Sequence, residues 1–178
     1  MLPAALIEDI EDNIAALGAR IDRLRQRMVV FARQDADLSA QIDLLCSVPG
    51  IGEAIAVEVL SELGWMPRDL TARQLVAQAG LDPRPKQSGQ RDAPRHISKL
   101  GSKYLRGILH MAALTSVQHC SEVEAFHRVL TEQRHKKPLV AYVAVSRKLL
   151  HTIHGMLKTR TAFDPSRFYQ PKKVPRVA

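Results

Sequence analysis

The sequence predicts an all-α protein in which an N-terminal coiled-coil helix precedes a compact helical domain containing a helix-hairpin-helix. Apolar residues recur in alternating steps of three and four over residues 7–45. Glycines and prolines then divide the chain into helix-length segments, and no segment alternates convincingly as a strand. We therefore expect a coiled-coil arm at 1–45, a C-terminal domain at 46–163 and a basic, flexible tail at 164–178.

The arm carries a heptad seam. Its apolar positions are Ile7, Ile10, Ile14, Leu17, Ile21, Leu24, Met28 and Phe31, with Leu38, Ile42 and Leu45 in register. Ile or Met alternating with mostly Leu favours paired helices, which predicts a homo-oligomer through residues 7–45. Arg20 and Arg25 flank the seam, so a parallel, in-register homodimer would bring these like charges together. An antiparallel or intramolecular partner avoids this repulsion. A single amphipathic helix packed on its own domain is the alternative. Asp35 at a core position and Gly18 predict a bend or a change of partner.

Short helices should follow the arm. The expected ranges are Glu53–Leu63, Thr71–Ala79, Ser102–His119, Glu122–Arg134 and Leu139–Lys158. Ser121 and Glu124 have the spacing of a capping box, and Pro138 fits the first turn of the last long helix. From Ser166 onward the chain has almost nothing to bury.

The charge distribution points to a polyanionic partner. The formal net charge is +8, yet residues 1–62 hold five Lys/Arg against eleven Asp/Glu, so the excess of positive charge lies in residues 63–178. Nucleic acid is therefore the leading partner, and it should meet the second part of the chain. Cys46 and Cys120 lack the spacing of a zinc knuckle or a disulfide framework. With no apolar run of spanning length and an acidic start, we expect a cytoplasmic protein without a membrane partner.

The predicted helix-hairpin-helix occupies about residues 46–64. Gly50 and Gly52 allow a tight turn and leave the N–H groups that start the second helix facing outward. Those groups and the helix dipole suit a phosphate. Glu53 at the same place would repel an anion, so a hairpin that only packs helices together stays open as an alternative.

A basic loop at about 80–101 is the second candidate site. Seven Lys/Arg and one acid lie between Arg84 and Arg106, a density suited to a sugar-phosphate backbone. Ser88 lies within the loop, where Gly89 would let a phosphate approach closely. A serine nucleophile needs a proton acceptor, and either Asp92 or His96 could serve. An ordinary turn serine remains the alternative.

Histidines offer a weaker site. His151 and His154 are three residues apart on a predicted helix, but no third ligand has diagnostic spacing, so we predict no metal site.

Four motifs in series resemble a known family. They are VPGIG at 48–52, AGLDPRPKQSG at 79–89, HISKLGSKYLR at 96–106 and AYVAVSRKLLHTIHGMLK at 141–158. In this order and spacing the sequence resembles the C-terminal part of the IS110/IS116 group of insertion-sequence transposases. The resemblance covers roughly Leu45–Phe163.

The resemblance implies a mechanism. In that group an RNase H-fold, nuclease-like domain with four metal-binding acids precedes a coiled coil and a serine-bearing domain. A structured RNA guides the recombination of DNA, and the serine of the Ser-Gly dipeptide forms a covalent link to DNA. Carried over, Ser88 is the catalytic nucleophile. No such set of acids precedes residue 45, so magnesium would be bound by a nuclease-like domain outside this sequence, and none by this segment.

We therefore interpret the sequence as the DNA-binding part of a transposase, incomplete and inactive alone. Its predicted partners are DNA, a guide RNA and a second copy. The predicted nucleic-acid-binding residues are Arg84, Lys86, Gly89, Arg91, Arg95, Lys99, Lys103, Arg106, Gly50 and Gly52. One alternative is a non-catalytic remnant that binds nucleic acid, dimerises and regulates transposition. Another is a structural adaptor that binds protein.

Overall fold

The computed structural model describes residues 3–67, 69–84, 87, 88, 91, 92 and 96–170, with 87, 88, 91 and 92 described through their backbone. The helices are α1 Ala4–Ala32, α2 Ala36–Cys46, α3 Glu53–Gly64, α4 Ala72–Gln78, α5 Lys103–His119, α6 Ser121–Arg128, α7 Pro138–Thr159 and α8 Pro165–Phe168. A π-helical turn spans Val129–Gln133. The strands β1 Pro83–Arg84, β2 Gln87–Ser88, β3 Arg91–Asp92 and β4 His96–Ile97 have two residues each. The all-α prediction is confirmed.

The core lies between α5 and α7, with the shorter helices packed around them. Leu105 and Leu109 of α5 and Leu149 and Ile153 of α7 are fully buried. Burying each of these side chains contributes about 1.5–3 kcal/mol. Ser146 is buried in the same layer, and its hydroxyl is satisfied by the carbonyl oxygens of Leu109 and Tyr142 at 3.2 and 2.9 Å.

The arm is interrupted before Asp35. Helix α1 runs through Gly18 and ends at Ala32, and the Asp35 carboxylate accepts a hydrogen bond from the Leu38 N–H at 2.8 Å to cap α2. The seam residues of α1 are exposed, whereas Ile42 and Leu45 of α2 are buried in the domain core. The exposed part of the predicted seam is therefore confined to α1 and Leu38.

One predicted helix-start signal is confirmed and another is wrong. Helix α7 begins at Pro138 as predicted. Helix α4 begins with a capping box of Thr71 and Gln74 that was not predicted. The capping box predicted at Ser121 is wrong, because extended Cys120 precedes the helix and Ser121 is already its first residue. The Ser121 hydroxyl instead donates to Glu122 at 2.9 Å.

The expectation that the chain buries almost nothing after Ser166 is wrong for Phe168, which is only 1% exposed. Phe168 and Tyr169 lie beside Lys148 of α7, whose Nζ is 5.0 and 5.5 Å from their ring centroids. Burial lowers the pKa of Lys148. The basic residues of the tail, Lys172, Lys173 and Arg176, lie outside the described residues. In the described ranges no helix has the length and apolarity needed to cross a membrane.

Candidate nucleic-acid interface

The predicted basic loop contains an antiparallel hairpin. The ladder at its base joins β1 to β4 and pairs Pro83 with Ile97 and Arg84 with His96. The ladder further along the hairpin joins β2 to β3 and places Ser88 opposite Arg91. Directly opposite residues of an antiparallel pair have Cα atoms about 4.5–5.5 Å apart. The backbone therefore brings the predicted nucleophile and one predicted phosphate-binding cation to neighbouring positions.

The base of this hairpin is closed by glycine. The backbone of Gly80 has a φ of +64°, a region that favours glycine. A Cβ at Gly101 would overlap the carbonyl group of Gln78, so the two ends of the hairpin approach as closely as they do only because residue 101 is glycine. The Lys99 N–H donates to the Gly80 carbonyl at 3.1 Å across the same closure.

Arg106 of α5 holds the closure from below. Its Nη1 donates to the carbonyl oxygens of Ala79 at 3.0 Å and Gly101 at 2.9 Å, one on each side of the hairpin. This guanidinium nitrogen is therefore committed to the fold. The other N–H groups of the Arg106 guanidinium could still contact nucleic acid, and this contact stays a prediction.

Asp82 orders the first residues of the hairpin. Its carboxylate accepts a hydrogen bond from the Ser98 hydroxyl and lies 4.0 Å from Nε of Arg84. Arg84 remains largely exposed, and an exposed ion pair of this length contributes little. Arg84 is therefore available to an external anion.

The remaining predicted cations are distributed unevenly. Lys99 and Lys103 are exposed at the junction between the hairpin and α5. Arg91 is placed by its backbone alone. Lys86, Gly89 and Arg95 lie outside the described residues, so the structure does not test their roles.

The connection from α2 to α3 is tight for a structural reason. Gly50 has a φ of +92°, and a Cβ there would lie 2.6 Å from the backbone N of Ser116. The Ser116 hydroxyl donates to the Pro49 carbonyl at 2.6 Å, which fixes the connection on α5. Gly52 precedes α3 and is exposed, and a Cβ there would meet no atom within 4 Å. The backbone that leads into α3 therefore has open space beside Gly52.

Arg33 changes the electrostatics at this start. Its Nη2 lies 2.5 Å from Oε1 of Glu53, and its Nη1 lies 2.7 Å from Oδ1 of Asp43. The hydrogen bonds to Glu53 and then Asp43 raise the pKa of Arg33. The Glu53 charge, which the sequence suggested would repel an anion, is thus compensated. Sequence reasoning missed Arg33, because no local pattern links residues 20 positions apart.

The histidines of α7 do not form a metal site with other described residues. Nε2 of His154 lies 2.8 Å from the Leu70 carbonyl oxygen, which ties α7 to the segment before α4. Burial, together with the charges of Arg147, His154 and Arg73, lowers the pKa of His151. Across the described part of the chain, no group of three or more His, Cys, Asp or Glu is placed to hold a metal ion.

Known proteins resemble this chain over most of its length. A probable family 20 transposase of Pseudomonas aeruginosa is 32% identical over 162 residues, covering 90% of this chain and 47% of that protein. The pilin gene-inverting protein of Moraxella bovis is 28% identical over 157 residues, covering 86% of this chain and 48% of that protein. An uncharacterized 44.8 kDa protein of the insertion element IS116 of Streptomyces clavuligerus is 24% identical, covering 90% of this chain and 39% of that protein.

The chain spans about half the length of the first two relatives and less of the third. The family model described as Transposase IS116/IS110/IS902 family matches residues 42–128, from within α2 to the end of α6. This segment includes the α2–α3 connection, the hairpin with Ser88 and helix α5. Residues 42–128 are therefore similar to the Transposase IS116/IS110/IS902 family.

Proposed function

We propose that this chain is the DNA-holding, serine-bearing part of an insertion-sequence transposase that recombines DNA. The observation that carries the proposal is the position of Ser88 opposite Arg91 in a hairpin whose base is closed by Gly101 and Arg106. The transposase relatives and the pilin gene-inverting proteins support a role in DNA recombination.

The chemical step is a transesterification at phosphorus. Oγ of Ser88 attacks a DNA phosphodiester and forms a P–O bond, while the bond to one deoxyribose oxygen breaks. The serine proton passes to a base, and the departing oxygen leaves as a hydroxyl after taking up a proton. Because one phosphodiester replaces another, a second DNA hydroxyl can reverse the step and join a new strand without ATP. Cations such as Arg84, Arg91 and Lys99 would stabilise the charge on the non-bridging oxygens.

The step also needs groups that the described residues do not provide. No described cluster suits magnesium, so no part of the step is assigned to a metal bound by this chain. We propose that a nuclease-like domain outside this sequence supplies magnesium and its acidic ligands, and that the chain is inactive without it. A guide RNA would select the DNA.

The α2–α3 connection would hold the DNA backbone beside the hairpin as a helix-hairpin-helix. The exposed start of α3, after Gly50 and Gly52, presents N–H groups to a phosphate. The Arg33–Glu53 ion pair supports this role, because it reduces the repulsion that Glu53 alone would exert on an anion.

We further propose that two copies associate through α1. Its seam residues from Ile7 to Met28 are 40–64% exposed although they are apolar. Pairing would bury this surface.

A second candidate function is a non-catalytic remnant that binds nucleic acid, dimerises and regulates an intact transposase. The exposed cations Arg84, Lys99 and Lys103 favour this candidate, because they can contact a sugar-phosphate backbone without any nucleophile. It would bind DNA with a strong dependence on salt but form no covalent product.

Covalent trapping separates the two candidates. Wild type, Ser88→Ala and the control Ser121→Ala would be incubated with labelled element-end DNA, guide RNA and magnesium, with and without the nuclease-like domain of a relative. When the nuclease-like domain is present, we expect a denaturation-resistant protein–DNA band for wild type and Ser121→Ala, and none for Ser88→Ala. Without that domain we expect no band from any of the three. No band from wild type, despite DNA binding and an active full-length control, would favour the remnant.

A further inference from the structure

Helix α5 carries an exposed strip that neither the fold nor the proposed serine chemistry uses. Tyr104 is 65% exposed and Met111 is 56% exposed, and Gly107 between them is exposed as well. Residues three and seven apart lie on one face of a helix, and seven residues span about 10 Å. The strip therefore has an aromatic ring at one end, a thioether at the other and bare backbone between them.

Close packing does not explain why residue 107 is glycine. A Cβ at Gly107 would meet no atom within 4 Å, in contrast to Gly101, where it would overlap Gln78. A glycine inside a helix costs about 1 kcal/mol relative to alanine. The absence of a side chain at residue 107 thus leaves an open notch beside Tyr104.

The charge of this strip suits a nucleic acid. Helix α5 contains no Asp or Glu. Nζ of Lys103 lies 5.1 Å from the centroid of the Tyr104 ring, and Lys99 is exposed just before the helix. An aromatic face beside cations is the combination that stacks an unpaired base while binding its phosphate.

The start of the strip lies close to the base of the Ser88 hairpin along the chain. Tyr104 follows Gly101 by three residues, and Gly101 approaches Gln78 at that base. A DNA strand bound at the base of the hairpin could therefore reach Tyr104.

We propose that Tyr104, Gly107 and Met111 form a slot for an unpaired base of a DNA strand, with Lys103 binding the adjacent phosphate. The base stacks on Tyr104 and lies over the backbone at Gly107. This inference rests on the proposed function, because it requires DNA at the hairpin.

The test compares the affinities of Tyr104 and Gly107 variants for four labelled probes. The probes are a short single-stranded DNA, its duplex, an RNA of the same sequence and a fully abasic strand with the same number of phosphates. Tyr104→Leu removes the ring and Tyr104→Phe keeps it, while Gly107→Leu fills the notch. Trp65→Leu is the control, because Trp65 is also exposed but lies at the end of α3. Circular dichroism would check that each variant is folded.

We expect Tyr104→Leu and Gly107→Leu to weaken binding to single-stranded DNA by about fivefold or more, with little effect on the duplex or the abasic strand. Tyr104→Phe and Trp65→Leu should bind as wild type does. An equal loss on the abasic strand, a loss confined to RNA, a comparable loss with Trp65→Leu or no loss at all would each overturn the slot. If wild type binds none of the DNA probes, both the slot and the proposed function are refuted. If wild type binds DNA in a salt-dependent way and Tyr104→Leu binds equally well, only the slot is refuted.

Discussion

Nη2 of Arg33 lies 2.5 Å from Oε1 of Glu53, so the C-terminal end of α1 is bonded to the first turn of α3. The same guanidinium contacts Asp43 of α2. One residue therefore joins three helices where the proposed phosphate-binding N–H groups begin.

This contact predicts an electrostatic effect on DNA binding. Arg33→Met leaves the Glu53 carboxylate uncompensated at the start of α3, and we expect duplex DNA affinity to fall about fivefold. Adding Glu53→Gln should restore most of the loss. The control is Arg25→Met, which breaks the Arg25–Glu58 pair away from this start. Fluorescence anisotropy would measure the affinities, and an uncorrected loss in the double variant would show that Arg33 acts in another way.

Arg106 and Lys99 should have separable effects. Arg106→Met removes two hydrogen bonds at a partly buried site and should lower the free energy of unfolding by about 1.5–3 kcal/mol. Lys99→Gln should leave stability unchanged and reduce the slope of log affinity against log salt by about 1. Urea unfolding and DNA titrations at several salt concentrations would measure both. Equal effects of the two variants on stability would contradict this division of roles.

His127 predicts a loss of stability in mild acid. Its Nε2 is buried without a hydrogen-bond partner in the described structure, its ring lies 4.4 Å from that of Tyr142, and burial lowers its pKa. The unfolded chain therefore takes up this proton more readily than the folded chain. The free energy of unfolding should fall as pH drops below about 6.5, with no contribution from His127 above it.

His127→Phe retains an aromatic ring and removes the titration, so it should reduce this pH dependence in urea unfolding between about pH 7.5 and 5.5. His151 has a lowered pKa as well, and the residual dependence should decrease further in His127→Phe/His151→Gln. An unchanged pH dependence in His127→Phe would refute the assignment.

The exposed seam of α1 predicts self-association. Ile14→Lys places a charge at a seam position that is 64% exposed in the single chain, so it should reduce dimerisation without destabilising the domain. Ala19→Lys, off the seam on the same exposed helix, is the control. Sedimentation equilibrium would measure the association. A monomeric wild type, or equal dissociation by both variants, would contradict pairing through the seam.

Local sequence signals predicted most of the helical fold. Pro138 located the start of α7 because it acts within the first turn of its own helix, and the expected range Thr71–Ala79 agreed closely with α4. Ser121 misled because the backbone of Cys120, rather than the hydroxyl pattern, determines where α6 begins. Phe168 is buried and its ring packs against that of Phe126, which is distant in sequence. The amino-acid composition of the tail does not indicate this contact.

The candidate site was less predictable than the fold. Basic residues and Ser88 stood out by composition, but two-residue strands cannot show alternation, so the pairing of Ser88 with Arg91 was not predicted. The closing roles of Gly101 and Arg106 depend on contacts with residues 78 and 79, more than twenty positions away. Such contacts arise only when the C-terminal end of α4 and the segment that leads into α5 come together in the fold.

The most direct measurement of the proposed chemistry is mass spectrometry of the trapped complex after nuclease and trypsin digestion. Cleavage after Lys86 and Arg91 would release a five-residue peptide whose only hydroxyl group belongs to Ser88. We expect a nucleotide adduct on this peptide in wild type and Ser121→Ala, and none in Ser88→Ala. An adduct on any other peptide would show that Ser88 is not the nucleophile.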